Sequence, residues 1–121
     1  RVGEALNTRK KAINGSRIHL LGVAYKKDVT DMRESPALDI LELLHRRGAT
    51  PRYTDPYVPK LQHGDLDLTS VTEEKTGDVD CAVICTNHGV FDYQAIVKRY
   101  PLIVDTRNAL KGIPADHVFL L

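Results

Sequence analysis

The sequence predicts an α/β fold, a three-layer sandwich with a mainly parallel sheet, preceded by the end of a helix. Strand-length apolar runs such as "RIHLL", "CAVIC" and "PLIV" alternate with stretches of helical period. That alternation implies parallel strands joined by crossovers, with the sheet covered on both faces. A length of 121 residues with 42% hydrophobic content suits one domain closing one core. No internal repeat or low-complexity tract divides it.

The opening "VGEALNTRKKAIN" places Val2, Ala5 and Leu6 at helical spacing, with Gly15 as a stop. It has no N-cap and no initiator methionine, so the chain is expected to be cut from something longer, through or near a helix. "RIHLLGVAY" is the first strand. In "SPALDILELLHRRG", Ser35 can cap a helix, Pro36 suits its first position, and Ala37, Ile40, Leu41 and Leu44 form one apolar face before Gly48 ends it. "TPRYTD" is a second strand closed by Asp55-Pro56. From Tyr57 to Gly77 the pattern suggests a connection with a short helical piece or strand around "LDLTSV". "DCAVICT" is then a buried strand, "FDYQAIVKRY" a helix, "PLIVDT" a strand and "HVFLL" a last one.

Composition excludes several function classes. Net charge is +1 with both signs interspersed, so no electrostatic footprint for nucleic acid exists. No apolar run approaches the roughly 20 residues that cross a bilayer, and the first residues lack the apolar centre of a signal peptide. The expected location is the cytoplasm, with no membrane partner. Cys81 and Cys85 lie on one face of an extended strand, their thiols roughly 13 Å apart. They cannot form a disulfide within that strand, and no further cysteine completes a metal set. They read as small core residues, with a reactive thiol as the alternative.

Ligands of such sheets lie beyond the carboxyl ends of the strands. Three segments converge there: "YKKDVTDMRESP", "TNHG" and "DTRNALKG". Gly22 is the only glycine between Gly15 and Gly48, so the glycine fingerprint that cradles a pyrophosphate is absent. Side chains are left to do that work. Lys26 offers a mobile point charge and Arg33 a planar fork suited to phosphate, with Asp28, Asp31 and Glu34 able to orient them. The bland alternative is a solvated loop whose charges pair with one another. Asp55 can contact a ribose or simply form an Asp-Pro turn. His88 can face a ligand or end a strand, and Arg107 with Asn108 can reach a ligand or form a plain turn.

"LLGVAYKKDVTDMRESPALDILELL", "GATPRYTDPYVP", "DCAVICTNHGVFDY" and "VDTRNALKG" together resemble the C-terminal, UDP-binding domain of the UDP-glucose/GDP-mannose dehydrogenase family. The resemblance runs from about Ala12 through nearly the whole chain, as ordered blocks and not one short motif. "TNH…FDY…IVDTRNA" is most similar to the branch acting on UDP-N-acetylglucosamine or a related UDP-N-acetylhexosamine. UDP-glucose and UDP-N-acetylmannosamine are the alternatives, and outside the enzyme class a stand-alone nucleotide-binding module. The resemblance implies two NAD-dependent oxidations that take C6 of the sugar from alcohol to carboxylate, for surface polysaccharide synthesis. It further implies that residues 1–15 end a central linker helix and that residues 16–121 form the UDP-sugar domain, with a Rossmann-like fold. Carried over by position, Tyr25, Lys26 and Arg107 bind substrate, and Arg33 reaches NAD held mainly by a separate N-terminal domain. No metal is implied, and the full-length protein is expected to be a homo-oligomer. The family's nucleophilic cysteine motif has no counterpart here, so the chain alone is expected to be inactive.

Overall fold

A computed structural model describes residues 2–7, 12–24, 36–63, 66–71, 79–86, 88–113 and 115–120. The elements are α1 (Val2–Asn7), β1 (Arg17–Leu21), α2 (Pro36–Arg46), β2 (Thr50–Thr54), β3 (Lys60–His63), β4 (Leu66–Thr69), β5 (Cys81–Ile84), α3 (Tyr93–Arg99), β6 (Ile103–Asp105) and β7 (Val118–Leu120). Five strands form one sheet in the order β2-β1-β5-β6-β7, and all four neighbouring pairs are parallel. The expected α/β sandwich with a parallel sheet is what the chain adopts.

Alternation along each strand sorts side chains to the two faces. Ile18, Leu20, Cys81, Val83 and Val104 join Ala5 and Leu6 of α1 and Ala37, Leu41 and Leu44 of α2 in one core. Leu21, Ala82, Ile84 and Ile103 join Ile96 and Tyr100 from the α3 side in the other. Helices therefore cover both faces. The apolar face read for α2 is the buried one, with Ile40 partly buried against the same core. Each fully buried leucine there contributes roughly 1.5–3 kcal/mol relative to exposure. Pro36 opens the helix as expected, whereas the Ser35 cap lies outside the described residues. For α3 the cap is Asp92, whose carboxylate accepts from the Ala95 N–H at 3.2 Å.

Three segments differ from the sequence reading. The opening helix, read with Gly15 as its stop, spans Val2–Asn7, and residues 12–15 are not helical. β1 ends at Leu21, four residues before the end of "RIHLLGVAY", because Gly22 turns the chain at φ +86°. The segment after Tyr57 holds two strands where one short piece is expected: β3 and β4 pair antiparallel, Leu61 opposite Leu68. β3 escapes a pattern reading because Leu61 is its only buried residue. Its partner strand supplies the hydrogen bonds that its own sequence does not advertise. Leu61 and Leu66 add this hairpin to the α1/α2 core.

Candidate functional site

The strand order reverses direction of growth between β1 and β5, since β1 connects to β2 on one side while β5 leads on to β6 on the other. In open parallel sheets this switch point, beyond the carboxyl ends, is where ligands bind. The chain concentrates its buried polar groups there.

Asp55, directly after β2, is 1% exposed. Its Oδ2 accepts from the Val23 N–H at 2.8 Å, the Ala24 N–H at 3.2 Å and His88 Nε2 at 2.9 Å, and Oδ1 accepts from the Tyr57 N–H at 2.9 Å. A carboxylate only accepts, so the His88 proton facing it sits on Nε2. The His88 ring lies 4.8 Å from the Tyr57 ring and 5.6 Å from Phe91, and the Tyr93 hydroxyl donates to the His88 carbonyl at 2.8 Å. Thr86 adds a further tie, its hydroxyl donating to the Ala24 carbonyl at 2.7 Å. Gly22 makes this closeness achievable: a Cβ there would stand 2.5 Å from Thr86 Cβ and 2.7 Å from the Thr86 carbonyl oxygen.

The loop after β6 is organised by a second buried acid. Asp105, 1% exposed, accepts from the N–H groups of Arg107 and Ala109 on Oδ1 and of Leu110 on Oδ2, at 2.9–3.1 Å. Arg107 is an exposed residue, and its Nε donates to the Cys85 carbonyl at 2.9 Å. That bond ties the guanidinium to the end of β5, and a planar fork is the group suited to a phosphate or carboxylate. Asn108, at φ +55°, continues the turn.

Of the residues singled out from sequence, Arg107 stands at this end of the sheet, while Tyr25, Lys26 and Arg33 lie outside the described residues. So do the acids Asp28, Asp31 and Glu34. Asp55 forms the expected turn with Tyr57 and does more: it accepts from the Val23 and Ala24 N–H groups and pairs with His88. That pairing is not legible in the sequence, because the two residues stand 33 apart. Only the strand order, which sets β1 between β2 and β5, reveals that they meet above β1. Sequence reasoning misses Asp105 as well, though an aspartate before a turn is a known backbone capper.

Burial pushes both thiols up to about 12; at Cys85 the nearby Arg107 opposes the shift, and at Cys81 Asp80 adds to it. They are core residues, not nucleophiles. For a dinucleotide, the described residues do not fit binding in the glycine-fingerprint manner. Gly22 is packed against Thr86, and Asp55, at the position of a ribose-binding acid, has both oxygens occupied by the protein.

Two features lie away from this end. An apolar groove of about 410 Å³ runs between α1 and α2 over Val83 and Val104. Asp39, Glu42 and His63 bring ligand-type atoms within 4.8 Å of one another, with Arg46 already paired to Glu42.

Comparison with known proteins gives this geometry a lineage. Residues 19–112 match the model of the UDP-glucose/GDP-mannose dehydrogenase family, UDP binding domain. The chain belongs to this family. Its UDP-binding-domain relatives include the UDP-N-acetyl-D-mannosamine dehydrogenase of Pyrococcus horikoshii, 33% identical over 121 residues, which cover 96% of this chain and 27% of that protein. The UDP-glucose 6-dehydrogenase of Rhizobium meliloti is 34% identical, covering 88% of this chain and 26% of that protein. Among solved structures, the UDP-D-ManNAc dehydrogenase from Pyrococcus horikoshii superposes with a TM-score of 0.79 at 28% identity, covering 98% of this chain and 28% of that one. The chain thus spans about a quarter of the length of the curated relatives it matches. Among the described residues no helix is long and apolar enough to cross a membrane.

Proposed function

We propose that residues 16–121 are the UDP-sugar-gripping domain of an NAD-dependent nucleotide-sugar 6-dehydrogenase, and that residues 1–15 end a helix linking it to the rest of that enzyme. The observation that carries the proposal is the family match over residues 19–112, on a chain whose buried Asp105 and anchored Arg107 stand at the carboxyl ends of the sheet. The reaction takes a C6 alcohol to a carboxylate. It consumes two NAD+ and one water and releases two NADH and three protons.

In this reading Tyr25, Lys26 and Arg107 hold the UDP-sugar. Arg33, farther along the same loop, reaches the cofactor, which is held mainly by another domain. The first substrate is UDP-N-acetylglucosamine, and the uronic acid product feeds surface polysaccharide synthesis in the cytoplasm of the cell. UDP-N-acetylmannosamine is the second reading, favoured by what the Pyrococcus horikoshii relative is named for. The complete enzyme is a homo-oligomer. The buried thiols at Cys81 and Cys85 supply no nucleophile, so residues 1–121 alone produce no NADH.

The test is NADH formation by the complete enzyme with each UDP-sugar, for the parent and for Arg107→Ala. Removing the fork raises KM for the UDP-sugar about tenfold, the equivalent of one lost charge-assisted contact, while KM for NAD stays within about twofold. Absence of turnover with every UDP-hexose and UDP-N-acetylhexosamine overturns the reading.

A further inference from the structure

The buried pair of Asp55 and His88 does something that the fold itself does not require. Burying an ionisable pair costs desolvation free energy that apolar residues of similar volume avoid. Here both side chains are fully buried, 2.9 Å apart, and meet above the end of the strand between their own strands. What they hold is specific. Asp55 takes the N–H groups of Val23 and Ala24, and Thr86 takes the Ala24 carbonyl, so the peptide groups immediately before Tyr25 and Lys26 are fixed from two sides. The Tyr57 and Phe91 rings pack against the imidazole, and the Tyr93 hydroxyl holds the His88 backbone carbonyl.

We infer that His88 is a positioning residue for nucleotide binding: through Asp55 it fixes the backbone of Val23 and Ala24, the residues that precede Tyr25 and Lys26 in sequence, and UDP affinity depends on it without His88 touching the ligand. The inference rests on the UDP-sugar reading of this site. It makes a residue beyond β5 a determinant of the backbone at Val23 and Ala24, just beyond β1. The geometry also ranks the substitutions. Glutamine places an N–H near the position of His88 Nε2, whereas methionine fills the volume with no donor.

The experiment measures UDP dissociation constants of the complete enzyme for the parent, His88→Gln, His88→Met and Thr86→Val, together with thermal midpoints and hydrogen exchange at the Val23 and Ala24 amides. His88→Met is expected to weaken UDP binding about tenfold and to speed exchange at both amides, as loss of one buried charge-assisted bond implies. His88→Gln restores affinity to within about threefold of the parent on the same scale. If His88→Met does not fold, Thr86→Val decides, since it releases the Ala24 carbonyl at nearly constant volume and is expected to weaken UDP binding in the same direction. Folded variants that bind UDP as the parent does overturn the inference. So does a loss of affinity in His88→Gln as large as in His88→Met and proportional to the fall in thermal midpoint, which marks a plain core residue. A parent enzyme that binds no UDP overturns the functional reading beneath it, a result distinct from a binding parent with indifferent variants.

Discussion

Cys81 and Cys85 show how far a single residue type can be read without coordinates. Their spacing on a strand fixes a common face and rules out a bond between them, and both are buried in the same core. With the thiols pushed up to about 12 by burial, only a minute thiolate fraction exists near neutrality, and no reagent reaches it. The 121-residue chain in native buffer is therefore expected to leave both thiols unmodified by an aromatic disulfide reagent over the time in which denatured protein loses both. A rapidly titrating thiol in the folded protein contradicts that account. Arg107 is legible only as one of two readings, a ligand contact or a plain turn, and the structure adds the anchoring of its Nε on the Cys85 carbonyl. The Asp55–His88 contact is not legible, because it depends on which strands are neighbours and no residue spacing encodes that.

At the scale of elements, helix signals are the clearest. Pro36 and the apolar spacing of α2 reappear in the structure, because a helix is specified by contacts within a few residues of itself. Strand ends are less clear. "RIHLLGVAY" continues to look extended past Leu21, and only the approach of Thr86 shows why the strand must stop at Gly22. That distinction is testable with two glycines of nearly equal backbone angle. At Gly15, φ +85°, a Cβ would meet nothing within 4 Å among the described residues, whereas at Gly22 the Thr86 side chain and backbone occupy its place. Gly15→Ala should cost only the left-handed conformational penalty of about 1–2 kcal/mol. Gly22→Ala should cost that and roughly 1–3 kcal/mol more for the overlap, read as the difference between urea midpoints of the two variants. Equal losses would show that Thr86 yields freely and that the close approach does not define the turn.

Across the whole molecule, alternation of strand and helix conveys the parallel sheet, while the order β2-β1-β5-β6-β7 stays hidden, because pairing between distant strands leaves no local trace. That order also buries His19 in the middle of the sheet, a residue no sequence pattern marks. Its Nε2 lies 2.6 Å from Thr54 Oγ1, and that hydroxyl already donates to the Val71 carbonyl, so Nε2 must carry the proton. Among the described residues Nδ1 has no hydrogen-bond partner. Protonation would bury an unpaired N–H and a charge, and burial first, with Arg52 second, lowers the imidazole from 6.5 to about 3. Between those values the unfolded chain binds a proton that the folded chain refuses, so stability rises with pH across the window and is lost on acidification from 6.5. Above 6.5 the group is neutral in both states and contributes no slope. Each pH unit below it removes about 1.4 kcal/mol, a large share of a domain stability of about 5–15 kcal/mol. Urea unfolding of the parent and His19→Gln at about pH 7 and again near pH 5, above the ordinary carboxylate range, isolates the effect. The parent should lose about 2 kcal/mol more than the variant between those conditions, since glutamine does not titrate. Equal losses would mean that the folded protein admits the proton and that the imidazole has a partner or water beyond Thr54.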